Sequence, residues 1–157
     1  MKNYKKISIF GLMLIIALAF TAGCGGTNKP TTTSYVDGKY FAEMPEFDDK
    51  GWKDNATVTI RDGKIDDVIL NAINEDPAKG DKLTAVANGE YDMKAAGAKA
   101  DWDEQAKAIE DYIIEKQGAT GVTFDEEGKS DAISGATIHY NQFFDLVNQA
   151  LDQAKAK

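Results

Sequence analysis

Apolar and polar side chains alternate first at residues 39–44, where Tyr40, Ala42 and Met44 stand against Lys39, Phe41 and Glu43. A period of two predicts a half-buried strand, with folded structure beginning near Tyr35. Pro45 and the cluster Asp48, Asp49, Lys50, Gly51 end it. The alternation resumes as Ala56, Val58 and Ile60 against Thr57, Thr59 and Arg61, and Asp62-Gly63 then turns the chain back, the strongest hairpin signal in the sequence. The return strand opens on Ile65, yet Val68, Leu70 and Ala72 fall on the opposite parity. A hairpin over 56–72 therefore needs a bulge around Asp66 and Asp67 to keep its apolar side chains on one face.

Beyond Asp76-Pro77 and Gly80 the period lengthens. A short helix is expected from Asp81 to Ala87, stopped by Asn88-Gly89. Glu90 to Ala100 is rich in alanine and glycine and carries no assignable element. Asp101 reads as the N-cap of a helix with Trp102, Gln105, Ala106, Ile109, Tyr112 and Ile113 on one face, ending at Gly118. A short strand with Val122 and Phe124 and a polar turn from Asp125 to Lys129 follow. A last helix beginning after Thr137 would bury Tyr140, Phe143, Leu146, Val147, Ala150 and Leu151. Strands, helix, strand and helix in that order imply a single α+β domain with a mainly antiparallel sheet.

The first residues change the picture of where this domain resides. Lys2, Lys5 and Lys6, an apolar run from Ile7 to Phe20, and the small residues Ala22 and Gly23 read as a secretory signal peptide too short to span a bilayer comfortably. Thr21-Ala22-Gly23-Cys24 resembles the lipobox of bacterial lipoproteins, with threonine where leucine is commonest; the alternative is a plain secreted protein cut nearby. The resemblance implies an acylated Cys24, a signal peptide over 1–23, an anchor and tether over 24–34, a domain over 35–157, and a lipid-anchored place on the extracytoplasmic face of the cell membrane. Cys24 is the sole cysteine, so no internal disulfide forms, and two or more acyl chains would hold it firmly. Gly25 to Ser34 holds only Gly, Thr, Asn, Lys, Pro and Ser and reads as flexible.

Cutting before Cys24 leaves 134 of the 157 residues, enough for one domain with a real core. It removes three lysines and no acid, so the formal charge moves from −8 to −11. Such a surface repels nucleic acid and anionic lipid heads, and a nucleic-acid role is excluded.

The candidate chemistry lies in Ser130-Asp131-Ala132-Ile133-Ser134-Gly135-Ala136-Thr137. Gly135 permits a tight turn and close approach, Ala136 keeps that approach small, and Thr137 offers a hydroxyl at the expected mouth of the last helix. Free N–H groups and the helix dipole favour an anion there. The plainer reading makes Thr137 an ordinary N-cap, although Tyr140 stands where a capping box would need Glu or Gln.

Asp131, Ser134, Gly135, Ala136 and Thr137 fill every specified position of the flavinylation motif Asp-x-x-Ser/Thr-Gly-Ala-Thr, and the chain thereby resembles the FMN-binding domain family. Asp37-Gly38-Lys39-Tyr40, Asp62-Gly63-Lys64-Ile65 and Trp102 with Gln105 look like the domains of membrane-anchored flavin lipoproteins of extracellular electron transfer. Related domains occur in subunits of the sodium-pumping NADH:quinone reductase and of the Rnf complex. The resemblance implies that a magnesium-dependent FAD:protein FMN transferase moves FMN onto the Thr137 hydroxyl as a phosphoester and releases AMP. Gly135 and Ala136 would admit that enzyme, and Asp131 and Ser134 would be recognised by it, shaping the loop through local hydrogen bonds. It further implies an electron carrier, not an enzyme, passing electrons from a membrane donor to an extracellular acceptor. The alternative function is a surface lipoprotein of the same fold that binds a ligand or partner without covalent flavin.

Gly118-Ala119-Thr120 repeats the last three letters of the motif, but Ile114 occupies the place of its aspartate, so Thr120 is not assigned the modification. His139 at a helix start reads as solvated. Tyr91, Met93, Trp102 and Tyr140 could flank an isoalloxazine ring, although such residues more often build a core. Asp125, Glu126 and Glu127 lack the alternation of a calcium loop, and one histidine with a lipidated cysteine makes zinc implausible, so no metal is expected. No nucleophile elbow, phosphate-binding glycine loop or metalloprotease motif occurs.

Overall fold

The computed structural model describes residues 35–156, and the expected signal peptide, Cys24 and tether lie outside them. Three strands, β1 (Gly38–Glu43), β2 (Trp52–Arg61) and β3 (Lys64–Asn74), form an antiparallel meander in the order β1-β2-β3. The Asp62-Gly63 turn works as its residue types demand, with φ of 52° and 72° at the two positions. Thr59 pairs with Asp67 and Ile60 with Ile65, so Asp66 is the extra residue of the expected bulge. That single insertion lets Ile65, Val68, Leu70 and Ala72 share the buried face with Ala56, Val58 and Ile60.

Three helices follow a short 3-10 turn: α1 (Lys82–Ala87), α2 (Trp102–Lys116) and α3 (Asn141–Ala154). α3 packs on β1 and β2, α2 packs on β3, and α1 bridges β3 and α2. The core between the two layers includes Val58, Val68, Leu70, Ile109, Ile113, Phe143, Leu146 and Val147, each at most 2% exposed. The start and end of the described region meet, since the Val36 N–H donates to Ala154 O at 2.8 Å. Asp37 accepts the Gly63 N–H at 2.9 Å and so ties the entry of β1 to the hairpin turn.

α1 begins and ends as its sequence predicts. Asp81 accepts the Thr84 N–H at 3.1 Å, and Gly89 has a φ of 73° just past the end. α2 ends at Lys116, two residues before the expected glycine, and Gln117 takes the left-handed conformation (φ 55°, ψ 37°) instead. Its carboxamide offsets that strain by docking on the backbone of β3: Ile65 N–H donates to Oε1 and Nε2 donates to Ile65 O, both at 2.9 Å.

Two expectations are corrected. Residues 121–124 form no strand: nothing pairs with them, and Phe124 instead sets its ring edge-on against Tyr140 and Phe144, with centroids 5.1 and 5.3 Å apart. The last helix starts at Asn141, four residues beyond Thr137, so Thr137 is neither its cap nor at its mouth. The first intrahelical bond of such a helix would run from the Asn141 N–H to Thr137 O, since the N–H groups before it have no intrahelical partner. The Asn141 N–H instead donates to Gly128 O at 3.3 Å, beside that of Tyr140 at 2.8 Å. Residues 137–140 are held as irregular chain in consequence.

Glu110 of α2 is nearly buried and accepts the Leu70 N–H at 2.9 Å. Burial raises its carboxyl above the ordinary range, only partly opposed by that N–H and by Lys107. The folded state thus binds its proton more tightly than the unfolded chain, and stability falls as pH rises from the ordinary carboxylate value through the raised one. Glu110→Gln keeps an acceptor for Leu70 without the charge. Thermal unfolding should show a higher Tm than wild type at pH 7, the gain shrinking towards pH 4; an unchanged or lower Tm at pH 7 would refute this.

Candidate functional site

Ser130 to Thr137 form an irregular loop between the Asp125–Lys129 turn and the approach to α3. The turn is built from one carboxylate, as Asp125 Oδ1 accepts the N–H groups of Glu127 and Lys129 at 2.9 and 2.8 Å. Gly128 closes it with a φ of 74°, and a Cβ there would overlap the side chain of Asn141. The left-handed φ calls for glycine, and a Cβ would in addition make the Asn141 side chain move aside. Within the loop, Ser130 Oγ accepts the Ala132 N–H at 3.2 Å, and the buried Tyr140 donates its hydroxyl to Ser130 O at 3.2 Å. Ile133 and Ala136 are buried and pin the loop to the core.

Asp131, Ser134, Gly135 and Thr137 are exposed. Gly135 has a φ of 92° and open space where a Cβ would stand, so its backbone conformation is what calls for glycine. Among the described residues, the side chains of Asp131 and Ser134 accept or donate no hydrogen bond; the shaping role expected of them falls to Ser130, Tyr140 and Asp125. Both polar groups face solvent, free for another molecule.

Thr137 is held from behind by Gln105 of α2. The carboxamide oxygen Oε1 accepts the Thr137 N–H at 2.8 Å, the Thr137 hydroxyl at 3.0 Å and the Ile138 N–H at 3.1 Å. Its Nε2 donates to Ala100 O at 3.0 Å and lies 3.9 Å from Met93 Sδ. Gln105 is 1% exposed among Trp102, Ala106 and Ile109 of α2, where an unpaired amide would cost about 1–3 kcal/mol. Sequence periodicity put it on the buried face and said nothing of its partners; a polar residue inside an apolar stripe was the available signal that it must be satisfied locally.

Two open clefts adjoin this point. One, of about 470 Å3, lies between Phe124, Asp125, Lys129, Asp131, Ala136 and Thr137. The other, of about 460 Å3, is lined by Tyr91, Met93, Ala96 and Ala98 in the glycine- and alanine-rich segment that had no assignable element. That segment is fixed by Asp101, whose Oδ1 accepts the N–H groups of Lys94 and Met93 at 3.0 Å each, holding its carboxyl below the ordinary range. The Asp101 N–H in turn donates to Glu104 at 2.9 Å at the head of α2. Of the aromatic candidates, Trp102 and Tyr140 are core, whereas Tyr91 and Met93 are half-buried at the second cleft; His139 is exposed, as expected.

A third and smaller cavity, about 50 Å3, encloses Lys82. Its ammonium lies over the rings of Trp52, Trp102 and Tyr91 at 4.8, 5.3 and 5.4 Å from their centroids. Burial lowers the Lys82 ammonium and raises the carboxyl of Asp54 across the cavity, each shift partly opposed by the other group's charge. Sequence reading missed this cluster because its rings come from positions 52, 91 and 102 and only the fold assembles them. Among the described residues no group of His, Cys, Asp and Glu side chains could hold a metal ion, and no helix is long and apolar enough to cross a membrane.

A family model described as FMN-binding domain matches residues 51–152, well over half of the chain. A solution NMR structure of a protein from Clostridium thermocellum is 47% identical, with 76% of this chain and 92% of that chain covered and a TM-score of 0.59. A crystal structure of a protein from Clostridium perfringens is 29% identical over 76% of this chain and 88% of that one, also with a TM-score of 0.59. No curated protein matches significantly.

The loop geometry separates two glycines. Gly128→Ala meets both a left-handed φ and an occupied space, whereas Gly135→Ala meets only an unfavourable φ. Chemical denaturation should show Gly128→Ala costing more than about 1 kcal/mol and more than Gly135→Ala. Equal losses would mean that the contact with Asn141 yields without resistance.

Proposed function

The chain belongs to the FMN-binding domain family, and on that premise we propose that it is a flavoprotein electron carrier with FMN held covalently at Thr137. The observation that carries this reading is the complete motif from Asp131 to Thr137 on an exposed loop, with Thr137 itself exposed and lining a cleft of about 470 Å3. A site of that volume falls in the range of small-molecule sites. The residues fit an attached cofactor: the hydroxyl is a point of attachment, and Phe124 and Ala136 give the cleft apolar surface.

When bound, the flavin supplies reversible redox chemistry, and the protein supplies attachment, orientation and surroundings. Gly135 and Ala136 present little bulk next to Thr137, so a transferase active site can close around the hydroxyl. Asp131 and Ser134, with unengaged polar groups facing solvent, are the natural points for that enzyme to read. The acceptor is the backbone-anchored Thr137 rather than Thr120, which lacks the motif aspartate.

The same proposal places the domain on the extracytoplasmic face of a membrane through an acylated Cys24, receiving electrons from a membrane donor and passing them to an extracellular acceptor. A covalent bond suits that place, where a dissociated flavin would be lost.

Expression of the chain with an FAD:protein FMN transferase tests the attachment by intact mass. A gain equal to FMN less water is expected; it should vanish in Thr137→Ala and persist in Thr120→Ala. A colourless wild-type protein of unmodified mass would rule the reading out and leave a ligand- or partner-binding lipoprotein in its place.

A further inference from the structure

Thr137 lies in a loop, four residues from the nearest helix, yet its backbone N–H and its hydroxyl converge on one buried atom, Gln105 Oε1. We propose that Gln105 is a positioning residue for the modification of Thr137, setting the hydroxyl with its hydrogen inward and its lone pairs outward. This inference rests on the reading of Thr137 as the FMN acceptor.

An amide oxygen only accepts hydrogen bonds, so the hydroxyl must be the donor in its contact with Gln105. Its hydrogen is thereby directed to the protein interior at 3.0 Å, and the lone pairs of Oγ1 are left to the exposed side of the residue. The neighbouring Ile138 N–H, bound to the same oxygen at 3.1 Å, fixes the chain on the far side of Thr137. Gln105 is itself immobilised, since Nε2 is bound to Ala100 O and its side chain is 1% exposed. A nucleophile held in one orientation before the second substrate arrives gains rate through avoided reorganisation.

The step so prepared forms a bond from Thr137 Oγ1 to the FMN phosphorus of FAD and breaks the pyrophosphate P–O bond, AMP leaving with the electron pair. Oγ1 keeps its proton on the Gln105 side while its outward lone pair forms the P–O bond. The protonated ester oxygen then turns its hydrogen away from Oε1 and gives it to a base of the transferase or to solvent, because a neutral amide oxygen is too weak a base to keep it. Gln105 accordingly acts through Thr137 and not on the reacting phosphorus. After the step Oγ1 has no hydrogen to donate, and Oε1 keeps the two backbone N–H groups, so the loop remains tied down in the product.

The full chain, its Gln105→Met variant and its Gln105→Glu variant are to be given FAD and the transferase, with kcat and KM for the protein substrate read by intact mass. Methionine keeps the length and apolar bulk without a carbonyl acceptor; glutamate, which burial favours as the neutral acid, restores an acceptor for the three donors and an O–H in place of Nε2 for Ala100 O. Gln105→Met should lower kcat by about 10- to 100-fold with a much smaller change in KM, and Gln105→Glu should recover most of it. Wild-type kcat in Gln105→Met, or a Gln105→Glu variant no better than Gln105→Met, overturns the inference alone. A wild-type chain that takes up no FMN overturns the reading of Thr137 and this inference together. Amide hydrogen exchange on the unmodified wild type needs no variant to fold: slow exchange at Thr137 and Ile138 is expected, and exchange at the rate of a free loop refutes the clasp.

Discussion

A primary amide buried in an apolar helix face has to be paired on both sides, because each unpaired group forfeits its hydration without return. Gln105 meets that requirement with groups that α2 itself does not own: Ala100 O in front of the helix and three donors from residues 137 and 138. The demand for satisfaction thereby converts into tertiary structure. Two segments without regular secondary structure, one before α2 and one before α3, are registered against each other through a single side chain. The position of the exposed motif loop follows from it.

This explains both what could be read from the residues and what could not. The hairpin was legible because Asp62-Gly63 admits few turns and because the shifted parity after Ile65 has few remedies other than a bulge. The apolar face of α2 was legible from its period, and the motif from its residue types. The start of α3 was not, since it depends on Gly128 O, from a distant turn, capturing the Asn141 N–H that a longer helix would use. The residues 122–124 show the complementary failure: alternation describes a strand only where a neighbouring strand offers a ladder, and Phe124 finds aromatic rings instead. Propensity and period are local quantities, and both misreadings concern non-local partners.

The Lys82 cavity shows the same principle with charge in place of an amide. Three aromatic faces from β2, α2 and the segment between α1 and α2 surround an ammonium, and Asp54 sits opposite with its own carboxyl raised by burial. Neither group is comfortable there alone. His139 and Ile138 line the same cavity, so the cluster touches the chain immediately after Thr137.

The side-chain docking of α2 onto β3 has a consequence for the molecule among its own kind. A sheet edge with unpaired N–H and C=O groups is a template on which a further strand, from a second copy or from an unfolding neighbour, can grow. Gln117 occupies both groups of Ile65, and Glu110 occupies the N–H of Leu70. The helix thus does along β3 what a fourth strand would do, in side-chain amide and carboxylate rather than backbone, and a strand arriving from outside finds those positions already answered. The edge of β3 is in this way partly answered by the same helix that presents Gln105.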